Sequence, residues 1–197
     1  DGFIAKFDST GQQRLWVTHF GGNDYDEILD VALDANENIY IVGYTIDDAA
    51  FPLTVLTGAY NFPHAGARDA FIAKFDQNDT IIWCTNYGGS GSESMHSISI
   101  DGNDIFTTGY TYSGNFPVMN PTDGTLGGSN DHFIVRFNTN GQRLFATYFG
   151  GGDQEFVPAL GLYYGTNNIS ANAQFYYLVG KTFSPDLLTV NPGGSGI

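Results

Sequence analysis

The stretch Asp69-Ala70-Phe71-Ile72-Ala73-Lys74-Phe75-Asp76 occurs three times in this chain, in slightly varied form. Its other copies are residues 1–8 and 131–138. The residues equivalent to Phe71 lie 68 positions before it and 62 positions after it. In residues 1–8, for example, Phe3, Ala5 and Phe7 alternate with Ile4, Lys6 and Asp8, which is the two-residue period of a β-strand. A unit that returns at such a spacing predicts a repeat architecture.

Other motifs recur between the copies in a fixed order. Trp16 corresponds to Trp83 and Phe145, and each is followed by a Gly-Gly pair, at 21–22, 88–89 and 150–151. A Gly-x-Thr triplet follows at 43–45, 109–111 and 180–182. Its glycine falls inside a predicted strand, where a missing side chain lets another backbone come close.

Each block therefore contains four short predicted strands, joined by Gly- and Asn-containing turns such as 8–11 and 138–141. Four antiparallel strands per repeat are typical of a β-propeller blade. No window shows a 3.6-residue apolar period, and the content of Gly (26), Phe (16) and Tyr (12) is also typical of β-structure. We predict an all-β propeller with almost no helix.

The predicted parts amount to about three blades, too few for a closed ring. We expect an excerpt of a larger propeller; the alternative is that subunits combine. A polar stretch at 165–174 predicts a lengthened hairpin loop. The predicted boundaries are an outer strand pair at 1–20, a blade at 28–87, a blade at 95–149, an inner strand pair at 157–182 and a connecting segment at 183–197.

Composition restricts the function. The 197 residues contain 7 Lys and Arg against 21 Asp and Glu, a net charge of −14. Nucleic-acid binding needs a surplus of Lys and Arg, so we expect no nucleic-acid partner. No apolar run is long enough to span a bilayer, and we expect no membrane insertion. Cys84, the one cysteine, lies in an apolar stretch and is predicted to be a buried hydrophobe.

With these motifs the chain resembles the bacterial SBBP (seven-bladed β-propeller) repeat family. The residues that carry the resemblance are 69–76, Trp16-Val17-Thr18-His19-Phe20-Gly21-Gly22, the segment from Val31 to Thr45, and the Phe-Pro pairs at 51–52 and 116–117. The resemblance implies a secreted or cell-surface bacterial protein in which the repeats serve as scaffold, adhesion or binding modules. It brings no catalytic residue set, so we expect no enzyme, catalytic residue or bound cofactor.

Acidic residues follow each Gly-Gly pair. Oxygen ligands in a Gly-rich loop are the kind that Ca²⁺ prefers, although one loop offers a single carboxylate. The alternatives are that the recurring acid accepts hydrogen bonds from loop N–H groups, that it pairs with the recurring cations Lys6, Lys74 and Arg136, or that it is solvated. The weak calcium candidates are Asp24, Asp26, Glu27, Glu93, Asp153 and Glu155.

Aromatic residues in the long segments 46–68 and 112–130 are candidate anchors for a partner on the face that carries the Gly-Gly loops. These candidates are Phe51, Tyr60, Phe62 and Phe116. The competing interpretation is that Phe51 and Phe116 plug the gap between blades. The four scattered histidines are predicted to lie at the surface or rim, and Ser9 and Thr80 fit a short O-glycan acceptor pattern.

We therefore expect a non-catalytic extracellular scaffold, adhesion or binding module that takes a protein or a glycan through its loops. Other blades of the same protein are a further expected partner. The alternative is the non-catalytic or substrate-guiding propeller part of a secreted hydrolase or lyase.

Overall fold

The computed structural model describes residues 1–46, 50–155, 168–171 and 175–187. Within these residues every regular element is a β-strand, and no helix long and apolar enough to cross a membrane occurs. The strands are β1 (Gly2–Phe7), β2 (Arg14–Phe20), β3 (Asp26–Leu33), β4 (Ile39–Thr45), β5 (Asp69–Phe75), β6 (Ile81–Tyr87), β7 (Glu93–Asp101), β8 (Asp104–Thr111), β9 (Asp131–Asn138), β10 (Arg143–Phe149), β11 (Asn168–Ala171) and β12 (Tyr176–Val179).

The strands form antiparallel sheets in chain order. Two sheets have four strands, β3-β4-β5-β6 and β7-β8-β9-β10, and two have a single pair, β1-β2 and β11-β12. Both four-stranded sheets agree with the prediction of four antiparallel strands per repeat. Turns 8–11 and 138–141 also form as predicted, because Gly11 and Gly141 adopt the left-handed conformation with φ of 72° and 77°.

Residues that recur in the sequence occupy equivalent places in the sheets, which confirms the predicted repeat. Phe71 lies opposite Gly43 and Phe133 opposite Gly109, while Trp83 lies opposite Lys74 as Phe145 does opposite Arg136. An equivalent pairing occurs in β1-β2, where Trp16 lies opposite Lys6. The chain is therefore a set of repeated blades with one internal geometry.

The recurring glycine of the Gly-x-Thr triplet fits against a neighbouring backbone. The β7-β8 register shifts between Met95 and Ser97, a β-bulge, and a Cβ on Gly109 would collide with the Ser94 carbonyl oxygen there. Gly43 is placed in the same way against the Glu27 carbonyl oxygen. The close backbone approach that the sequence predicts is confirmed at both positions.

The largest hydrophobic core lies between the two four-stranded sheets. It joins Tyr40, Trp83 and Tyr87 of one sheet to Ile98 and Phe137 of the other, all of them buried. A blade is thus apolar on the face that meets its neighbour, which explains the high aromatic content of the sequence. Cys84 is buried as predicted, within a second core on the opposite side of its sheet.

The recurring cations lie away from the Gly-Gly loops. Lys74 Nζ donates to the Thr139 carbonyl oxygen at 3.1 Å and lies 3.9 Å from a carboxylate oxygen of Asp34. Arg136 lies 3.6 Å from Asp104. Pairing of Lys74 and Arg136 with the acids that follow Gly-Gly is therefore wrong, since different carboxylates lie within reach of these side chains.

The third block differs from its prediction. Residues 168–171, which the sequence predicts to be part of a loop, form β11 and pair with β12 from Asn168 opposite Val179 to Ala171 opposite Tyr176. Ile169 and Ala171 alternate with polar residues, a strand pattern that the surrounding Asn and Gly residues obscure. The rest of the predicted loop, the earlier part of the predicted inner pair and the end of the connecting segment lie outside the described residues.

Candidate functional site

The acid that follows each Gly-Gly pair closes its loop through hydrogen bonds. Glu93 is buried, and its carboxylate accepts the Gly89 N–H at 2.8 Å, the Thr111 hydroxyl at 2.7 Å and the Ser113 hydroxyl at 2.6 Å. Glu155 repeats this arrangement with Gly151, Thr182 and Ser184. Asp26 accepts the Gly22 N–H at 2.6 Å. Of the alternatives above, hydrogen bonding to loop N–H groups is the one that the structure has.

A second carboxylate lies beside this acid. Asp69 accepts the N–H groups of Ala65 and Gly66, and a Cβ on Gly88 would collide with both Asp69 and Glu93. Burial raises the pKa of Glu93, against the opposing effect of its hydroxyl donors, and the neighbouring Asp69 charge raises it further. Burial also raises the pKa of Asp69. At a given pH, the carboxyl groups of Asp69 and Glu93 are therefore protonated to a greater extent than free carboxyl groups.

The calcium candidates do not form a coordination site in the described part of the chain. Asp24 and Asp153 are exposed, and Glu27 accepts a hydrogen bond from the Tyr44 hydroxyl at 2.7 Å. No group of three or more acidic, histidine or cysteine side chains among the described residues is placed to hold a metal ion. The oxygen atoms of Glu93 and Glu155 are already engaged by hydroxyl and N–H donors.

Two of the four aromatic candidates are blade-gap plugs. Phe51 and Phe116 are both buried. The Phe51 ring lies 5.3 Å from Phe20 and 5.0 Å from Phe71, and the Phe116 ring lies 4.7 Å from Phe133. Each phenylalanine thus fills the space between neighbouring sheets. The hypothesis that Phe51 and Phe116 are binding anchors is wrong, because a partner cannot reach either ring.

The other two candidates, Tyr60 and Phe62, are half-buried and stacked on each other, with ring centroids 6.1 Å apart. The Arg143 guanidinium lies 4.6 Å from the Tyr60 ring, and burial raises the Tyr60 pKa to about 12. The Tyr60 N–H donates to Gly141, and the Phe62 N–H donates to Thr85. The segment that carries Tyr60 and Phe62 therefore lies against β6 through the bond to Thr85 and is held to the adjoining blade through the bond to Gly141.

One histidine also departs from its prediction. His132 is buried, and its Nε2 lies 2.9 Å from the Lys181 carbonyl oxygen. It lies on β9, which pairs on both sides with other strands, so its environment is that of a sheet interior. Burial lowers the pKa of His132 and favours the neutral ring.

A cluster that the sequence does not predict lies where β4 and β8 end and β7 begins. The Arg68 guanidinium lies 4.2 Å from the Tyr44 ring, and its Nη1 donates to the Tyr110 hydroxyl at 2.9 Å. The Tyr25 ring stacks on Tyr44 at 6.1 Å, and Tyr112 meets Tyr110 edge to face at 5.7 Å. We call Tyr25, Tyr44, Arg68, Tyr110 and Tyr112 the arginine–tyrosine cluster.

Local hydrogen bonds hold this cluster beside the Gly-Gly loop of the second repeat. The Arg68 carbonyl accepts the Glu93 N–H at 2.9 Å, and the Tyr112 N–H donates to Ser92 at 3.0 Å. The cluster borders a groove of about 460 Å³. The groove is lined by Ala67, Arg68, Ser90, Gly91, Ser92, Tyr110 and Tyr112. Recurrence of tyrosine in Gly43-Tyr44-Thr45 and Gly109-Tyr110-Thr111 is the sequence signal that could have indicated it.

Four-stranded antiparallel sheets that repeat along the chain and pack face to face define a β-propeller repeat protein. Comparison with known families agrees, since residues 15–48 match the beta-propeller repeat SBBP. The recognition made from the sequence motifs is thereby confirmed.

A more distant similarity is to the uncharacterized WD repeat-containing protein L264 of Acanthamoeba polyphaga mimivirus. It is 26% identical over 162 residues, which cover 75% of this chain and 12% of that protein. WD repeats are also propeller blades, so both comparisons indicate the same architecture. The chain spans a small part of that relative's length.

Proposed function

We propose that this chain is a non-catalytic binding module that takes a protein or glycan ligand in the groove beside the arginine–tyrosine cluster. Propeller domains built from such repeats generally mediate protein interactions. The single observation that carries the proposal is the Arg68 guanidinium, fixed between the Tyr44 ring and the Tyr110 hydroxyl next to an open groove.

The composition of the groove supports ligand binding. Tyrosine and arginine dominate binding hot spots, because each combines a large apolar face with polar groups at its edge. Side chains that are already fixed by mutual contacts lose little conformational entropy when a ligand binds. Arg68 and Tyr110 are fixed in this way. Tyr25, which belongs to the cluster but does not line the groove, is 57% exposed.

An extracellular or cell-surface location, a bacterial source and a role in adhesion belong to the same proposal and are supported by the sequence resemblance. O-glycosylation at Ser9 and Thr80 also belongs to it, since both residues are exposed in hairpin turns.

The proposal is tested with a microarray of defined glycans and a displayed random-peptide library. Tyr112→Ala removes a ring that lines the groove, and Tyr25→Ala removes an exposed ring of the adjoining arginine–tyrosine cluster, while Val55→Ala removes an exposed apolar side chain outside both. We expect a ligand selected with the unchanged chain to bind at least about tenfold more weakly to Tyr112→Ala, a loss of about 1.4 kcal/mol, and equally well to Val55→Ala. Unchanged affinity of both tyrosine variants contradicts the proposal, as does the absence of any ligand at about 1 mM.

A further inference from the structure

The groove beside the arginine–tyrosine cluster contains a cation. Arg68 is the single charged side chain among the residues that line this groove, all of which belong to the described part of the chain. The other lining residues are one alanine, one glycine, two serines and two tyrosines. The groove is therefore cationic in a chain whose overall charge is −14.

The Arg68 guanidinium has hydrogen-bond donors left for a ligand. Its Nη1 donates to the Tyr110 hydroxyl at 2.9 Å, and its central carbon lies 4.2 Å from the centroid of the Tyr44 ring. Tyr110 is the one hydrogen-bond acceptor that the described residues give this side chain. Nε and Nη2 share another edge of the planar group, and two parallel N–H groups on one edge match the two oxygens of a carboxylate. Arg68 is thus held in place while it keeps an edge that suits a carboxylate.

The carboxylates near the cluster are engaged by other donors. Asp69 accepts two N–H groups of the segment before it, and Glu93 accepts one N–H group and two hydroxyl groups. Glu27 accepts the Tyr44 hydroxyl. Within the described ranges no carboxylate forms an ion pair with Arg68. Its positive charge is therefore available to the anionic group of a ligand.

The rest of the lining favours a sugar over a peptide. Ser90, Ser92, Tyr110 and Tyr112 bring hydroxyl groups, which both donate and accept hydrogen bonds, as the hydroxyl groups of a saccharide do. A tyrosine ring also presents an apolar face to the C–H groups of a sugar ring and a polar group at its edge. A peptide is anchored by large side chains that fill apolar pockets, and none of the lining residues is a large aliphatic residue.

We propose that the ligand of this groove is a carboxylated saccharide, whose carboxylate pairs with the Arg68 guanidinium while its ring packs on Tyr112. This inference rests on the proposed function and specifies the class of ligand. Tyr110 contacts both side chains, Arg68 through its hydroxyl and Tyr112 through its ring at 5.7 Å, so the cation and the ring are close neighbours. In a uronic acid unit the carboxylate is attached directly to the sugar ring, which presents charge and ring face together.

A cation beside an aromatic ring also occurs one repeat further on. The Phe183 N–H donates to the Gln154 carbonyl oxygen at 2.9 Å, as the Tyr112 N–H donates to Ser92, so Phe183 is the counterpart of Tyr112. Lys181 Nζ lies 4.4 Å from the centroid of the Phe183 ring. This cation comes from a different position of the repeat than Arg68. Two repeats thus place a positive charge and an aromatic ring together beside the Gly-Gly loop by means of different residues.

The first test compares carboxylated glycans with their methyl esters, for which an oligomer of galacturonic acid and its esterified form are the probes. Loss of a hydrogen bond to a charged group weakens binding by at least about tenfold, and we expect the ester to bind more weakly than the acid by that factor. Equal binding of acid and ester overturns the inference, but it leaves the proposed function standing if Tyr112→Ala still weakens both. Binding of acidic peptides or sulfated sugars without binding of the carboxylated oligomer also overturns it. If no ligand binds, the proposed function fails and the inference fails with it.

The second test assigns the carboxylate to Arg68. Arg68→Gln removes the charge, and Arg14→Gln, at an exposed arginine of β2 outside the groove, changes the net charge by the same amount. We expect Arg68→Gln to lower the affinity for the acid at least about tenfold and to leave the affinity for the ester nearly unchanged, whereas Arg14→Gln changes neither. An equal loss for acid and ester would show that Arg68 only supports the tyrosine rings, and it overturns the proposal.

Arg68→Lys is a milder variant that keeps the charge and loses the edge with two donors. We expect its preference for the acid over the ester to lie between those of Arg68→Gln and the unchanged chain. A preference equal to that of the unchanged chain overturns the two-donor pairing.

Discussion

Replacement of Trp83 by alanine measures how much the contact between blades stabilises the fold. Trp83 is buried, with its ring 6.3 Å from Tyr40 and 6.5 Å from Phe137 of the next sheet, and its Nε1 donates to the Thr139 carbonyl oxygen at 3.2 Å. Truncation of a buried tryptophan costs about 3–5 kcal/mol, and the lost hydrogen bond contributes about 1 kcal/mol of that effect. We expect Trp83→Ala to lower the free energy of unfolding by about 4 kcal/mol.

The chain contains a matched control for this substitution. Trp16 occupies the equivalent place opposite Lys6 but is half-buried, because it lies at the exposed β1-β2 sheet. Burial of about half a large apolar side chain stabilises by about 1–1.5 kcal/mol, so Trp16→Ala should cost about that much. The two variants differ in how completely the neighbouring sheet covers the indole and in the hydrogen bond that only the Trp83 indole is shown to donate, to Thr139.

Urea denaturation followed by far-ultraviolet circular dichroism suits both variants, because that signal does not depend on a particular tryptophan. The free energies are compared at equal m-values, since a change in m indicates a change in the surface exposed on unfolding. Equal losses of unfolding free energy in Trp83→Ala and Trp16→Ala would show that the more complete packing of Trp83 between blades adds no stability. A loss below about 1 kcal/mol in Trp83→Ala would refute the core described here.

Two further predictions concern the bulge and the buried acids. Gly109→Ala should destabilise the fold by more than the ~1 kcal/mol that is typical of a point mutation, because its Cβ collides with the Ser94 carbonyl oxygen. Thermal melts compare it with Gly102→Ala, whose added Cβ meets nothing within 4 Å, and so separate this clash from strain at a turn. Burial raises the pKa of Asp131, so this group binds more protons in the folded than in the unfolded state, and its contribution to the free energy of unfolding should fall as pH rises above about 4. Asp131→Asn should flatten this decline while Asp153→Asn, at an exposed acid, leaves it unchanged; equal slopes in both variants would contradict the assignment.

The repeat predicts the strands well because strand formation here is a local property. Alternation in residues 69–76 and the turn residues at 8–11 specify each hairpin from neighbouring positions. Recurrence then carries the assignment from one block to the next. In the third block recurrence fails, since the Asn- and Gly-rich surroundings of β11 resemble a loop and the strand is recognised only by its pairing with β12.

The candidate site could not be predicted in the same way, because its members come from different blades. Arg68 meets Tyr44 of its own sheet and Tyr110 of the next sheet, a contact that depends on how the sheets pack. The Phe-Pro pairs show the opposite case. Sequence recurrence identifies Phe51 and Phe116 as important but cannot distinguish a plug from an anchor, since both roles require an aromatic ring and only burial separates them.

The role of the recurring acid is indicated by a pattern on another strand. Calcium binding and loop closure use the same carboxylate oxygens, so the acid alone leaves both open. Glu93 is distinguished by its hydroxyl donors, Thr111 and Ser113, and the same Thr-x-Ser spacing returns at Thr182 and Ser184. Hydroxyl groups at this spacing, at the end of the strand that pairs with the recurring acid, indicate a hydrogen-bonded cap.

The strongly acidic composition follows from the many chain reversals of the fold. Turns leave backbone N–H groups without strand partners, and the side chain of a turn aspartate can accept their hydrogen bonds. Carboxylates supply them: Asp8 accepts the N–H groups of Gln12 and Gln13, and Asp76 accepts those of Asn78 and Thr80. These bonds lower the pKa of Asp8 and Asp76, against the raised pKa of the buried loop acid Glu93.

Lysine and arginine cannot substitute for these acids, since their side chains donate hydrogen bonds and do not accept them. Each added repeat therefore adds more turn and loop carboxylates than cations, and the charge of −14 accumulates as a consequence of architecture.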